Sequence, residues 1–380
     1  MNESTESATG LRCWVEVDIS AIRHNADVIR ARTPAGLMAV VKANGYGHGT
    51  AHVVRALAGR VAMFGVANLR EAREVREVCA ATPIFILGAA MAGEREAIVR
   101  GGFVPAISSV AEAAAFAAFG PVALHLAIDT GMGRMGIWKD DAVAAAREIL
   151  ALPGVALTGV CSHLSCADSD AAFTTLQFES FRRLVAEIAA LAPLPLVVHV
   201  ENSAATLAFP DDASSLVRCG LALYGISPIA GFQSDFRPAL SWKTHVLLVR
   251  DMAAGRAISY GRSFVTDRAT RVATLGVGYA DGYPRQLSGS GATVIIRGTR
   301  CAVLGRVTMD CIMVDVTGIA GVEPGNEAVL LGSGISAAEL AGKAGTIPWD
   351  ILTGIGQRVA RLAVNDGCAG TFPSSPRLVP

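Results

Sequence analysis

The chain has 380 residues, 52% of them hydrophobic and 17% charged, and its 33 basic and 33 acidic side chains cancel. That balance excludes a largely disordered chain and leaves no basic block for nucleic acid or an anionic membrane, so a small-molecule partner is favoured. The length exceeds the about 250 to 300 residues at which one core stops growing, so two domains are expected.

The opening MNESTESATG lacks a basic start and an apolar core, and no run of about 18 apolar residues follows, which disfavours secretion and membrane spanning. The eight cysteines (13, 79, 161, 166, 219, 301, 311 and 368) show neither a CxxC pair nor a histidine at zinc-like spacing. They read as buried thiols of a reducing compartment, with no metal site, and the expected location is the cytoplasm.

From about residue 37 to 225, short apolar runs alternate with stretches of helical length. The runs are AVVK (39–42), MFGVAN (63–68), IFILG (84–88), VPAIS (104–108), VALHLAID (122–129), LTGVCSH (157–163), LVVHVEN (196–202) and SLVRCGLALYG (215–225). This pattern predicts a TIM-type (β/α)8 barrel, closed by a helix after the eighth strand or by segment 19–32. Lys42, Asn68, Asp129, His163 and Glu201-Asn202 gather at the C-terminal ends of these runs, where barrel enzymes place their chemistry. For Asn68 and Asp129 a helix cap or loop start explains the residue equally well.

After about residue 236 the texture changes to β-branched runs broken by turn residues: THVLLV, TRVATLGVGYADGY, ATVIIRGTRCAVLG, CIMVDVTG and EAVLLG. These predict a mostly antiparallel β domain, closed by an Ala-rich helix (336–344) and by IPWDILTGIGQRVARL, with the early run WVEVD (14–18) as a candidate partner. The expected organisation is a flexible tail over 1–10, the barrel over 11–235, the β domain over 236–372 and a flexible tail over 373–380.

VVKANGYGHG begins as a strand and dissolves into a loop with three glycines, leaving Lys42 at the barrel mouth. A lysine is a poor nucleophile while protonated. Desolvation there lowers its pKa and prepares it for a Schiff base with pyridoxal phosphate, an electron sink for a carbanion beside an amino group. The glycines would let backbone amides approach a phosphate, and Tyr46 could lie along the cofactor. Taken alone, the loop also suits a solvated lysine.

KANGYGHG (42–49) resembles the cofactor-lysine signature of alanine racemases, and DTGMGRMG (129–136), SHL (162–164), ENSAAT (201–206), RCGLALYG (218–225), SYGR (259–262), GYADGY (278–283) and GRVTMD (305–310) follow in that family's order. The resemblance runs from WVEVDISAIRHN at 14–25 to IPWDIL at 347–352. It implies a pyridoxal-phosphate enzyme that interconverts L- and D-alanine by two bases, Lys42 on the D face and Tyr260 on the L face, with His163 orienting the Tyr260 hydroxyl. Arg218 would face the pyridine nitrogen; a guanidinium gives up no proton, so the ring stays unprotonated and transamination is held down.

By the same resemblance the phosphate lies against Tyr46, Ser203 and the amides of Gly220 and Leu221, with Asn202 beside it. Ser203 also reads as a helix cap. Arg134 would steer the cofactor's phenolate oxygen and the substrate carboxylate, the Met309 amide would meet that carboxylate, and Tyr279 would line the substrate site. Tyr260, Tyr279 and Met309 would reach the barrel of a second subunit, making a homodimer with shared sites.

Two departures stand out. Many family members carry a carbamylated lysine two residues before the Asp of DTGMGR, where this chain has Ala127, so Arg134 needs another anion or stays mobile. Near Gln357 a tyrosine that often helps hold the phosphate is missing, which predicts weaker cofactor retention, while Phe264 and Trp349-Asp350 replace commoner residues without altering the chemistry. A broader racemase acting on serine remains open, since one hydroxyl separates the substrates. A barrel decarboxylase would leave Tyr260 without a role, and a pyridoxal-phosphate carrier would lack the second domain. The implied role is supply of D-alanine for peptidoglycan.

Overall fold

The computed structural model describes residues 10–209 and 214–367; all but Gly10 of the tail expected over 1–10, the whole tail expected over 373–380, and Cys368 lie outside the described residues. The described chain forms two compact units, one from residues 20–45, 50–209 and 214–237, the other from 10–19, 46–49 and 238–366.

The first unit is a ring of eight parallel strands in the order Leu216–Cys219, Gly36–Val40, Met63–Val66, Ile84–Ile86, Val104–Ile107, Val122–Asp129, Val155–Cys161 and Val197–His199. Its eighth strand returns to the seventh through an Asn202–Arg218 bridge and the hydrogen bonds Ser215 N to Val198 O (2.7 Å) and Arg218 N to Glu201 O (2.9 Å). The predicted fold class is therefore observed. Strands apolar on both faces suit a parallel sheet buried on both sides. Met38, Met63, Phe85, Ala106, Ala127, Cys161 and Leu216, one from each of seven strands, form an apolar core cluster.

Helices cover the ring, and their starts are written in the sequence. Asn68, Ser109 and Asp170 cap the helices Leu69–Val78, Val110–Ala117 and Ala171–Ala189 by accepting the third amide that follows. The helix Ile19–Arg30 supplies the additional cover: buried Asn25 donates to Leu223 O (3.1 Å) and Arg237 O (2.8 Å) and accepts from Arg237 N (2.8 Å), pinning it to the chain beyond the eighth strand.

In the second unit, six antiparallel strands close a ring: Thr270–Leu275, Ile312–Asp315, Thr299–Leu304, Thr293–Ile296, Glu327–Leu331 and the thirteen-residue Leu240–Met252, which pairs back onto Thr270–Leu275 across a register shift between Val246 and Leu248. Cys13–Asp18 extends this sheet, antiparallel to Leu240–Met252 and parallel to Ala360–Val364. Trp14, Trp242 and Tyr283 are fully buried in it. The helix Ala337–Ala344 starts on Ser336 and stops on Gly345 in the left-handed region (φ 70°), the usual end for a helix needing a residue without Cβ.

All seven described cysteines are free. Cys13, Cys161, Cys219 and Cys301 are buried as expected, whereas Cys79, Cys166 and Cys311 are only half-buried, because they sit on a helix end and in loops. No group of metal-ligating side chains and no helix long and apolar enough to cross a membrane occurs among the described residues.

Candidate active site

The first barrel strand ends at Val40, two residues earlier than the sequence suggests, and Lys42 opens a turn of unusual handedness. Ala43, Asn44, Gly45 and Tyr46 follow one another at φ 53°, 55°, 59° and 51°, all left-handed. Asparagine and glycine tolerate that region, but alanine and tyrosine pay about 1–2 kcal/mol each, and such strain collects at functional sites. Three bonds hold the turn: Gly45 N to Val41 O (2.9 Å), Ala43 N to Glu71 Oε1 (2.8 Å) and Thr50 N to Asn44 Oδ1 (3.0 Å). Glu71 also accepts from Ala67 N (2.7 Å), tying the loop after the second strand to the lysine turn. Sequence reasoning missed Glu71, although the Asn68-x-x-Glu71 spacing of a helix start pointed to it.

Burial, with the nearby charges of Arg134 and Arg218, holds the Lys42 ammonium below its usual range, opposed by Glu71. Tyr46 is buried, and its carbonyl accepts from His48 Nδ1 (2.9 Å). Asp129 is a loop organiser: its carboxylate accepts from Gly131, Met132 and Gly133 at 2.8–3.2 Å, folding the DTGMGR loop that carries Arg134. Arg134 itself is exposed, and no ion pair to it occurs among the described residues.

Arg218 is buried on the eighth strand and ties the strand ends together. Nη1 donates to His199 Nδ1 (2.9 Å) and His199 O (2.6 Å); Nη2 shares its hydrogens among Ser162 O (2.6 Å), Val200 O (3.1 Å) and His163 Nδ1 (3.3 Å). A guanidinium only donates, so Nδ1 of both histidines must be an acceptor, and in the neutral rings the proton sits on Nε2. Burial and the Arg218 charge, joined by Arg134 and Lys42, push the His163 pKa down to about 3, so it is neutral at physiological pH. Its Nε2–H can then donate to a ligand. His199 and His125, the latter bonded to His199 at 2.8 Å, were not anticipated from the sequence.

Asn202, not Ser203, caps the short helix Ser203–Ala208, its Oδ1 accepting from Ala205 N (3.1 Å). The cap reading of Ser203 is thus replaced: its hydroxyl accepts from Gly220 N (3.0 Å) and Ala222 N (3.4 Å), which draws the loops after strands seven and eight together. Buried Gln177, also missed, donates to Thr130 Oγ1 (3.1 Å) and His163 O (3.2 Å), bracing the loops after strands five and six.

Tyr260, Tyr279 and Met309 all stand on the second unit. Their relative exposures, 70%, 41% and 52%, are large for such side chains. Their loops are joined: Ser259, at φ 65°, donates from Oγ to Arg306 O (2.6 Å), and the amides of Tyr279 and Ala280 donate to Thr308 O and Met309 O, both at 3.0 Å.

The donor set around Lys42 fits pyridoxal phosphate. A desolvated amine suits an aldehyde, and three cations in mutual range call for an anion. Among the described residues the Arg218 hydrogen bonds use only Nη1 and Nη2, leaving Nε–H for a ring nitrogen. Barrel, desolvated lysine and buried arginine define a pyridoxal-phosphate enzyme of the barrel type.

The comparisons with known proteins carry this further. Residues 17–228 match the family model "Alanine racemase, N-terminal domain" and residues 239–363 match "Alanine racemase, C-terminal domain". An alanine racemase of Symbiobacterium thermophilum is 41% identical over 362 residues, covering 92% of this chain and 96% of its own length. The alanine racemase structure from D-cycloserine-producing Streptomyces lavendulae superposes with a TM-score of 0.86 at 35% identity, covering 93% of this chain and 97% of that one. One from Bartonella henselae, described with covalently bound pyridoxal phosphate, gives 0.85 at 27% identity over 93% and 99%. The chain belongs to the alanine racemase family, and with it to the pyridoxal-phosphate-dependent isomerases.

Proposed function

We propose that this chain racemises alanine with Lys42 as the base on the D face and Tyr260 of a second copy as the base on the L face. The observation that carries the reading is the setting of Lys42: an amine desolvated at a barrel mouth, beside Arg134 and Arg218, on a turn strained to hold it. When bound, pyridoxal phosphate supplies the electron sink that makes the substrate Cα–H acidic. The Lys42 amine takes the Cα proton on one face, or its ammonium returns one, and on the other face the Tyr260 phenolate takes the proton and its hydroxyl returns one. His163, neutral with its proton on Nε2, can donate to a phenolate oxygen and so stabilises the deprotonated tyrosine. Arg218 presents Nε–H and no exchangeable acid, which suits an unprotonated ring nitrogen. Ser203, Gly220 and Leu221, backed by Asn202, are assigned to the phosphate, with the Gly220 amide exchanging its bond to Ser203 Oγ for a phosphate oxygen and Tyr46 added by resemblance. Arg134 and the Met309 amide are assigned to the substrate carboxylate, with Tyr279 lining the site.

The exposure of Tyr260, Tyr279 and Met309 supports a homodimer in which a second copy covers them. The seven free thiols support a reducing compartment, the cytoplasm, and D-alanine so formed would serve peptidoglycan precursors. The test is chiral analysis of L-alanine and L-serine incubations with wild type, Lys42→Ala and Tyr260→Phe, alongside absorbance before and after borohydride. A visible band lost on reduction, D-alanine formed faster than D-serine, and loss of both band and product in Lys42→Ala are expected. Faster D-serine formation would move the preference to serine, and a yellow protein that racemises nothing would make it a carrier.

A further inference from the structure

The barrel interior holds a feature that the two-base reading does not use. His125 lies mid-strand, 2% exposed, inside the ring; its Nδ1 is 2.8 Å from His199 Nε2, and both imidazoles lie with ring centroids 5.0 Å from that of Phe85. Because Arg218 can only donate to His199 Nδ1, the His199 proton is on Nε2, and His125 Nδ1 must accept it. The chain of donors therefore has one direction: Arg218 to His199 to His125. The backbone is adapted to this ring in two further ways. The pairing of Val122–Asp129 with Val155–Cys161 shifts register between Leu124 and His125, and the residue opposite is Gly159, where a Cβ would come within 2.6–2.7 Å of the imidazole. A buried polar ring that needs a ladder irregularity and a glycine is costly for packing alone, since an apolar side chain would fill that space without either.

We propose that His125 is a positioning residue: by accepting at Nδ1 it fixes the tautomer of His199, and through His199 it holds Nη1 and Nη2 of Arg218 in place so that Nε remains the donor for the ligand. Without that acceptor, His199 Nε2–H is buried with no partner, and relief comes from turning the ring or moving the proton to Nδ1. Either change removes the Nδ1 acceptor from Arg218. The inference rests on the assignment of Arg218 to the cofactor ring.

The test has two arms on the holoenzyme. In histidine-selective 15N spectra of wild type, His125 and His199 should each carry a single proton on Nε2. A proton on Nδ1 of His199, or a charged ring, would overturn the chain. In the second arm the pyruvate released per alanine racemised is measured, because a wandering Arg218 weakens control over transamination. His125→Asn places Oδ1 where Nδ1 was and keeps the acceptor; His125→Phe keeps the volume and the ring stacking and loses it. Asn should stay near the wild-type ratio, while Phe should raise pyruvate about tenfold relative to racemisation, on the scale of a lost ligand-orienting bond. Gly159→Ala, which displaces the ring without removing it, should follow Phe. The reverse order, Phe like wild type and Asn impaired, would assign His125 to packing and end the proposal. Wild type that forms no D-alanine would instead sink the racemase reading, leaving the tautomers to decide the chain.

Discussion

Arg358 donates from Nη2 to Asp310 Oδ1 at 2.7 Å, and from Nε to Asp281 Oδ1 at 2.7 Å, so one guanidinium joins the residue after Met309 to the turn that carries Tyr279. Asp281 is nearly buried and spends its other oxygen on Gly278 N (2.8 Å), which closes the GYADGY turn. Arg358 is half-exposed, and ion pairs of that kind contribute little to folding. Its effect is expected on position. Arg358→Ala should raise KM for alanine about fivefold while moving the melting temperature by only a few degrees, as kinetics and calorimetry would show. Asp310→Asn should do the same, and the double variant should be no worse than either single one, because all three remove one clamp. Additive losses would show that the two residues act apart.

Gly278 is held by space. Its φ is −151°, which any residue can adopt, but a Cβ would lie 2.2 Å from Met309 O and 2.3 Å from Thr308 O. Those carbonyls receive the amides of Ala280 and Tyr279, so a methyl group must push apart the strips that present Tyr279 and Met309. Gly278→Ala should cost about 1–3 kcal/mol of stability in denaturant unfolding and most of kcat/KM. Normal activity in a stable Gly278→Ala protein would mean that the pairing of these strips does not matter.

Much of this was legible in the sequence, for identifiable reasons. The eight strands show as apolar runs because a parallel sheet is buried on both faces, and the Asn68 cap is local, spanning three residues; Ser109 and Asp170 cap their helices in the same way but were not singled out. Lys42 was found from its own motif. His125 and His199 were not: each looks like a polar interruption of an apolar strand, and their meaning lies in a bond between residues 74 positions apart. The same holds for Gln177, whose partners lie 47, 14 and 12 positions away. The left-handed turn after Lys42 was hidden because Ala43 and Tyr46 are poor candidates for it; bonds from Glu71 and Val41 hold the turn that propensity would refuse.

The buried histidines make stability depend on pH over a defined window. Burial and the Arg218 charge depress the His125 pKa to about 3, the His163 pKa is likewise depressed to about 3, and His199 lies well below its ordinary value. In the unfolded chain each returns to about 6.5. Below that pH the unfolded state binds protons that the folded state refuses, so unfolding is favoured as pH falls. His125 and His163 each remove up to about 1.4 kcal/mol per pH unit between 6.5 and 3, and His199 acts in the same direction. Glu339, held at about 2 by Arg300 and Lys343, is depressed too, but its stabilisation is lost only below the ordinary carboxylate range. Denaturant unfolding of the cofactor-free protein at pH 7, 6 and 5 should therefore give a falling free energy already above pH 5. A flat profile across that interval would mean that these rings are protonated in the fold.

Ala127 belongs to the apolar cluster that includes Met38, Met63, Phe85 and Cys161, so the position two residues before Asp129 is apolar here. Arg134 has no ion-pair partner among the described residues, so its orientation is left to the Asp129-bound loop and to whatever anion reaches it. A lysine at 127 would be desolvated, hence partly neutral and open to carbon dioxide, and its carbamate would bring a negative charge toward Arg134. Ala127→Lys should lower KM for alanine up to about fivefold in bicarbonate, the scale of one partly exposed charge pair, and lose that gain in carbonate-free buffer. The crowded layer should at the same time lose about 1–3 kcal/mol of stability. If KM is the same with and without bicarbonate, the Asp129 loop alone is sufficient to set Arg134.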